Sequence, residues 1–264
     1  MKSLKIESLL QREQLLVFSG LAIVILISWA YMLHMGWRMS GIGMEMTLAC
    51  MMRWGPGDIA HIFIMWATMM VAMMFPSATP MILMFTTVNQ RQGETQRPLM
   101  PTGLFVLGYF LVWTAYSALA AMAQWGLHVA TLLSHNLVIT SPLLGGVLLV
   151  AAGVFQLTPF RNTCMSKCRS PLGFLMAEWR EGRLGALIMG LKHGLNCVGC
   201  CWLLMLLSFA LGIMNIMWMA IVTVFMLVEK AYPRSQWVSS NHRSDPCRLG
   251  SMGRCRNHAL IKNK

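Results

Sequence analysis

The chain has 264 residues, of which 56% are hydrophobic and only 11% are charged, and its mean hydropathy is +0.59. An ordinary soluble domain carries roughly 25% charged residues, so this composition excludes a soluble globular fold and favours a membrane protein. The formal net charge of +12 does not indicate nucleic-acid binding. The basic residues form no stripe interleaved with aromatic residues, and cytoplasmic loops of membrane proteins are commonly basic.

Six apolar stretches in the sequence are candidates for spans of a bilayer, which takes about 20 helical residues to cross. The first follows a short polar segment and precedes no small-residue cleavage site, which indicates an uncleaved signal anchor. The second contains Pro76 and Pro80, so its helix is expected to kink or break in its later part. In chain order the stretches are 15–33, 59–88, 103–123, 139–157, 185–211 and 213–228. The sequence therefore predicts an all-α, polytopic transmembrane bundle of about six helices.

Positive charge alternates between the segments that connect these stretches. Lys and Arg are frequent near the N-terminus, in residues 89–102 and 158–184, and near the C-terminus, whereas the other connections carry only Arg38 and Arg53. Because basic loops stay in the cytoplasm, both termini are expected to be cytoplasmic. Lys192 is the remaining cation and lies within a span, where a charge is costly enough to indicate function.

Residues suited to metal chemistry are concentrated in the fifth apolar stretch. On a helix, His193, Cys197, Cys200 and Cys201 fall within an arc of roughly 100° over about two turns. Thiolate and imidazole ligands suit Cu(I) and zinc, so these side chains are predicted to bind a soft metal ion. The alternative is a packing face of small residues with inert buried cysteines.

A row of methionines occupies one face of the second stretch. Met65, Met69 and Met73 recur at every fourth residue, and Met70 and Met74 form a second row beside them. Thioether ligands select Cu(I) over hard ions, which makes the first row a candidate metal path. Methionine is also a common packing residue, so packing remains the alternative.

Cys164 and Cys168 form a C-x3-C pair in the basic connection that follows the fourth stretch. In a cytosolic loop such a pair stays reduced and could bind or hand over a metal. The neighbouring Arg161, Lys167 and Arg169 are expected to lower the pKa of the thiols. The alternative is a reduced pair with a structural role.

A set of closely spaced motifs covers about residues 59–230. The motifs are Met73-Met74-x-Pro76-Ser77-x2-Pro80-Met81, Phe155-Gln156-Leu157-Thr158-Pro159, Cys164-x3-Cys168-Arg169-Ser170-Pro171, Met189-Gly190-x2-His193-Gly194-x2-Cys197-x-Gly199-Cys200-Cys201-Trp202, Met214-Asn215-x2-Trp218-Met219 and Glu229-Lys230. This set resembles the bacterial DUF2182 family of predicted metal-binding integral membrane proteins. The resemblance implies a multi-pass protein of the bacterial inner membrane, associated with copper transfer to copper-containing oxidases.

The sequence departs from this family's pattern in two places. Asn196 stands where an aromatic residue is expected, which could change the packing around the ligands without removing one. After Pro233 the family continues into a final apolar segment, whereas this chain becomes basic and polar, which suggests a frameshift or a truncated reading. We therefore predict a transmembrane metal-binding domain over residues 1–230 and a disordered basic tail over 231–264.

These patterns favour a membrane protein that holds Cu(I) and passes it to an acceptor or across the membrane, with zinc as the less favoured metal. The expected partners are membrane lipid and a copper-donating or copper-accepting protein. An enzyme is not expected, because the sequence contains no P-loop, nucleophile elbow or paired carboxylates. Two alternatives stay open. One is a thiol-disulfide carrier that uses the cysteine pairs, and the other is a structural assembly subunit.

Overall fold

The computed structural model describes residues 2–40, 56–91, 99–130, 141–212 and 215–231. Every regular element in these ranges is a helix, which confirms the all-α class. In chain order the helices are α1 (Lys2–Ser40), α2 (Pro56–Arg91), α3 (Leu99–Val129), α4 (Pro142–Gln156), α5 (Pro159–Arg169), α6 (Pro171–Glu178), α7 (Gly182–Leu206), α8 (Ser208–Leu211) and α9 (Ile216–Ala231). Apart from Ala231, the predicted disordered tail lies outside the described residues.

Four helical segments of the described chain are long and apolar enough to cross a membrane. They are Arg12–Trp37, Ile59–Gln90, Leu99–Val129 and Gly182–Leu211. The pair α4 and α5 passes the same test together but is bent by 64°, and counting this pair as one span raises the number to five. The sixth predicted stretch corresponds to α9, which has 16 residues, fewer than the roughly 20 that usually cross a bilayer. The number six and the cytoplasmic termini therefore stay predictions.

α2 contributes the largest share of the buried side chains, and its two methionine rows are part of that core. It packs between α1 and α3, and α3 packs along α7 in the most extensive helix contact of the described chain. On α2, Met65, Met69 and Met73 have exposed fractions of 4%, 0% and 0%. The methionine rows of the second stretch thus face neighbouring helices and not the outside of the bundle.

α2 continues through Pro76 and Pro80 without a break. Because proline has no amide hydrogen, Pro76 leaves the carbonyl oxygen of Ala72 without its intrahelical donor. The indole Nε1 of Trp29, on α1, donates a hydrogen bond to that oxygen over 3.0 Å. In apolar surroundings an unpaired backbone oxygen is costly, so a donor from the neighbouring helix makes the proline tolerable.

The short helices α4, α5 and α6 each begin with a hydroxyl residue at the N-cap followed by proline. The three pairs are Ser141-Pro142, Thr158-Pro159 and Ser170-Pro171. Each hydroxyl oxygen accepts a hydrogen bond from the backbone N–H three residues later, and proline at the first helical position already has the required φ angle. The basic connection over residues 158–184 is therefore helical for most of its length, since α5, α6 and the start of α7 lie there.

Gly108 on α3 and Gly190 on α7 lie where these helices approach most closely. A Cβ atom added at Gly190 would lie 2.1 Å from the backbone oxygen of Phe105, and one added at Gly108 would lie 2.4 Å from the backbone oxygen of Leu187. Neither helix can therefore carry a larger residue at its crossing point unless the two backbones move apart.

The variant Gly190→Ala is expected to be destabilised by about 1–3 kcal/mol, the usual cost of overpacking. The matched variant Gly153→Ala, on α4, adds a Cβ with nothing within 4 Å, and the higher helix propensity of alanine should stabilise it by up to about 1 kcal/mol. Thermal unfolding of both variants in detergent measures the difference. Equal unfolding temperatures for the two variants would argue against the close α3–α7 contact.

Candidate metal centre

Cysteines from two helices meet on the buried side of α7. Cys197, Cys200 and Cys201 are completely buried, and Cys168 on α5 is 8% exposed. The side chain of Cys168 is close enough to Cys197 and Cys200 to interact with both of them. Cys164, also on α5, is half-buried. We call these five free cysteines the cysteine cluster.

Gly199 makes room for α5 against α7. A Cβ atom at Gly199 would lie only 3.0 Å from the Sγ atom of Cys164, so a larger residue would press on this thiol. The structure thus brings together two cysteine groups that the sequence analysis treated as separate, namely the pair of residues 164 and 168 and the three cysteines of α7.

The α7 thiols donate hydrogen bonds to their own helix. Cys200 Sγ donates to the carbonyl oxygen of Cys197 over 3.0 Å, and Cys201 Sγ donates to the same oxygen over 2.8 Å. Within the ranges that the structure describes, no three His, Cys, Asp or Glu side chains are arranged as a ready metal site. Binding an ion would therefore require these thiols to lose a proton and to rotate about the Cα–Cβ bond.

Met74, which belongs to the second row of α2, contacts the cysteine cluster. Its Sδ atom lies 3.9 Å from Cys201 Sγ. The first row, Met65, Met69 and Met73, is buried in the same helix. Burial alone is equally expected of methionines used for packing, so a metal role for the first row stays a prediction.

His193 is 2% exposed and lies among aromatic rings. Its ring stacks with Tyr109 at 5.4 Å and with Phe105 at 6.0 Å between centroids, and Phe174 meets it edge-on at 5.6 Å. In the described part of the chain its buried Nδ1 atom has no hydrogen-bond partner. Because buried polar atoms are nearly always paired, this nitrogen is a reasonable position for a ligand.

Tyr109 connects three parts of the site, although its position in an apolar stretch gave no sign of this. Its hydroxyl oxygen lies 3.2 Å from Cys197 Sγ, and the hydroxyl donates a hydrogen bond to the carbonyl oxygen of Met74 over 3.3 Å. The same ring stacks on His193. Tyr109 on α3 therefore holds residues of α2 and α7 in register.

Lys230, at the end of α9, is a cation that contacts the cysteine cluster. Its Nζ atom donates to Cys197 Sγ over 3.1 Å and to the hydroxyl oxygen of Ser77 over 2.8 Å. An ammonium group in apolar surroundings requires polar or anionic partners, and here a thiol supplies one of them. Ser77 and Lys230 both lie in motifs that carry the family resemblance, but no pattern in the sequence assigned them a role.

The end of α9 is attached to α5 by charged groups. Arg161 and Glu229 form an ion pair whose side chains are 4% and 11% exposed, and Arg169 Nε donates to the backbone oxygen of Glu229 over 2.6 Å. The expectation that Arg161, Lys167 and Arg169 lower the pKa of the thiols gains no support from the contacts of the two arginines. They contact Glu229 instead, and by doing so they position the neighbouring Lys230.

Lys192, whose position within a predicted span indicated a function, forms an ion pair with Glu178. The side chains are 37% and 28% exposed, so the pair lies at the periphery of the bundle. The hydrogen bond from Lys192 lowers the pKa of the Glu178 carboxyl. A carboxylate partner accounts for the position of Lys192 without a part in metal chemistry.

The comparisons with known proteins give one family. No curated protein and no solved structure matches the chain. The PpoB2 family, described as a copper chaperone, matches residues 63–243. This range is more than half of the 264 residues and includes the cysteine cluster, His193, Tyr109 and Lys230, in agreement with the copper association that the motifs implied. The chain therefore belongs to the PpoB2 family of copper chaperones.

Proposed function

We propose that this protein holds Cu(I) in the cysteine cluster and transfers the ion to an acceptor protein. Membership of a copper chaperone family and the apolar helices support copper handling at a membrane. The oxidation state of the ion, its ligands and its transfer are our proposal. The observation that carries the proposal is the convergence of Cys168, from α5, with Cys197 and Cys200, from α7, in a buried site.

The donor atoms around this cluster favour Cu(I) over zinc. Thiolate sulfur binds both Cu(I) and zinc, but Cu(I) as the softer ion is also suited to thioether sulfur, and Met74 places a thioether 3.9 Å from the Cys201 thiol. Structural zinc sites are closed, four-coordinate arrangements of Cys and His. The proposed ligands, drawn from thiols, imidazole and the first methionine row, are His193, Cys197, Cys200, Cys201, Cys164, Cys168, Met65, Met69 and Met73.

The negative charge of a copper-thiolate complex must be offset in this site. Cu(I) bound to two or more thiolates is anionic, and a net charge in apolar surroundings is costly unless it is paired. The Lys230 ammonium lies 3.1 Å from Cys197 Sγ and provides the opposite charge. In this proposal Lys230 is a positioning residue that stabilises the loaded state without binding the ion.

The difference in burial between the cysteines suggests how the ion enters and leaves. The three α7 thiols are completely buried, Cys168 is 8% exposed and Cys164 is half-buried. Exchange of ligands from Cys164 to Cys168 and then to α7 would move Cu(I) inward without releasing it, and the reverse order would deliver it. The buried methionine row of α2 is a second path that the same chemistry allows.

We place the protein in the bacterial inner membrane with both termini in the cytoplasm. In this arrangement α4 with α5 forms one bent span, and α9 forms a short one, which gives the predicted total of about six. Its partners would be membrane lipid and a protein that donates or accepts copper.

The variant Cys168→Ser tests whether α5 and α7 form one site. If they do, Cu(I) affinity in an anaerobic competition titration against a chromophoric chelator should fall by at least about tenfold. Ser166→Ala, an exposed change on the same helix, should leave the affinity unchanged. An unchanged affinity in Cys168→Ser, with only a lower copper content per chain, would mean that the two helices bind copper separately.

A thiol-disulfide carrier is the second candidate, because Cys168 lies within reach of Cys197 and Cys200. His193 distinguishes the two functions, since an imidazole can bind copper directly but forms no bond to sulfur in disulfide exchange. His193→Ala should weaken Cu(I) binding by about 10–100-fold and leave the rate of thiol oxidation by a soluble disulfide nearly unchanged. His193→Phe, which keeps a ring in the aromatic cluster, should give the same result. Unaltered copper binding in both variants would favour the carrier.

A further inference from the structure

A small cavity with a few polar groups in its lining lies at one end of the bundle. Its volume is about 60 Å³, whereas one water molecule requires roughly 10–15 Å³ of accessible space, so a small polyatomic ion fits. Phe85 and Asn89 near the end of α2, Trp179 and Arg180 after α6, and Gly182 and Arg183 at the start of α7 are among its lining residues.

Two side chains that line this cavity carry buried donors with no acceptor. Asn89 is only 8% exposed. Its Nδ2 atom and the indole Nε1 atom of Trp179 are buried and make no hydrogen bond within the described ranges. A buried donor without a partner costs about 1–3 kcal/mol. Two such donors around one cavity therefore point to an acceptor that occupies it.

The other groups at the cavity also favour a negative charge. The first residues of α7, a helix of 25 residues, line it, and the N-cap residue Glu181 makes no side-chain cap hydrogen bond and is exposed. The N-terminus of a helix presents free N–H groups and the positive end of the helix dipole. Arg180 and Arg183 add guanidinium groups, which pair well with phosphate oxygens.

We propose that this cavity binds a phosphate group through Asn89, Trp179, Arg180, Arg183 and the N-terminus of α7. It lies where three candidate spans end or begin, at Gln90, Leu99 and Gly182, which is the depth of lipid headgroups. The phosphate could therefore belong to an anionic phospholipid or to a free inorganic ion. Both sources present the same oxygens to the same donors, and the site stands independently of copper binding.

Thermal unfolding of the full chain in phosphate-free dodecyl maltoside tests this site. The probes are inorganic phosphate against chloride of equal ionic strength, and phosphatidylglycerol against uncharged diacylglycerol. The site predicts a saturable rise in the unfolding temperature with at least one phosphate-bearing probe and no rise with its control. A rise with phosphatidylglycerol alone identifies a lipid site, and a rise with inorganic phosphate identifies a site for the free ion. No rise with either probe overturns the proposal.

Three variants distinguish a specific phosphate site from a general effect of positive surface charge. Asn89→Leu removes a buried donor without changing the charge, and Arg183→Gln removes an exposed guanidinium. Each should raise the half-saturating concentration of the active probe about tenfold. Arg12→Gln is the control, because Arg12 is an exposed cation on α1 close to Gln14, whose side chain donates to Thr87 near the same end of α2. An equal effect of Arg12→Gln and Arg183→Gln, with none from Asn89→Leu, also overturns the proposal.

Discussion

Replacing Cys197 by serine is expected to weaken Cu(I) binding by more than about 100-fold. Cys197 is at the centre of the site, since its thiol contacts Lys230 and Tyr109 and is close to Cys168. Loss of a residue that merely orients a metal ligand typically costs 10–100-fold in affinity. Loss of a central ligand should therefore cost more.

Anaerobic competition with a chelator measures this effect, and thermal unfolding of the metal-free protein shows whether the fold survives. Cys164→Ser is the matched comparison, because this thiol is half-buried at the edge of the cluster and its loss should cost less than about tenfold in affinity. If Cys164→Ser weakened Cu(I) binding more than Cys197→Ser, the central ligand would lie on α5, and its assignment to α7 would be wrong.

Replacing Lys230 by methionine is expected to lower Cu(I) affinity by about 10–100-fold. The reason is electrostatic, because the loaded cluster would keep its negative charge in apolar surroundings without the ammonium group that now lies 3.1 Å from Cys197 Sγ. Methionine retains much of the length of lysine and adds a soft donor. A loss of affinity in this variant therefore reports on the charge rather than on the number of sulfur atoms.

Lys192→Met is the control for this variant, since it removes a lysine from an ion pair at the periphery. It should change Cu(I) affinity by less than about twofold, because exposed ion pairs contribute little. Lys230→Arg should restore part of the affinity, since it keeps the charge and changes the donor geometry. Equal Cu(I) affinities of Lys230→Met and Lys192→Met would show that the charge of Lys230 does not stabilise the loaded site.

The sequence alone was sufficient to predict the features of the fold and of the site that depend on local periodicity. Apolar stretches predicted the helices that carry the candidate spans. The spacing of His193, Cys197, Cys200 and Cys201 predicted a common helical face, and their common burial in α7 agrees with it. Such features follow from 3.6 residues per turn and from side-chain polarity, both of which can be read from one segment at a time.

The features that the sequence did not predict depend on contacts between distant segments. Cys168 of α5 lies close to Cys197 of α7 only because the two helices pack together. The residue pattern of either helix alone does not predict this proximity. Lys230 was overlooked because it lies beyond the last apolar stretch. Lys192 was instead predicted to be functional, but its ion pair with Glu178 explains its position without such a role.

The helices within residues 158–184 could also have been predicted from the sequence. Thr158-Pro159 and Ser170-Pro171 are N-cap signals of helices, and they were present in the sequence. The segment was instead treated only as a basic connection between spans, whereas α5 uses its arginines to hold Glu229 of α9.

X-ray absorption at the copper K-edge, on detergent-purified protein loaded anaerobically with Cu(I), tests the central claim most directly. The comparison is a variant in which Cys197, Cys200 and Cys201 are serine, with copper content measured on both samples. We expect near-stoichiometric copper coordinated mainly by sulfur in the unaltered protein, and its loss in the variant. Equal, weak copper binding in both samples would contradict the claim that this cluster is the Cu(I) site.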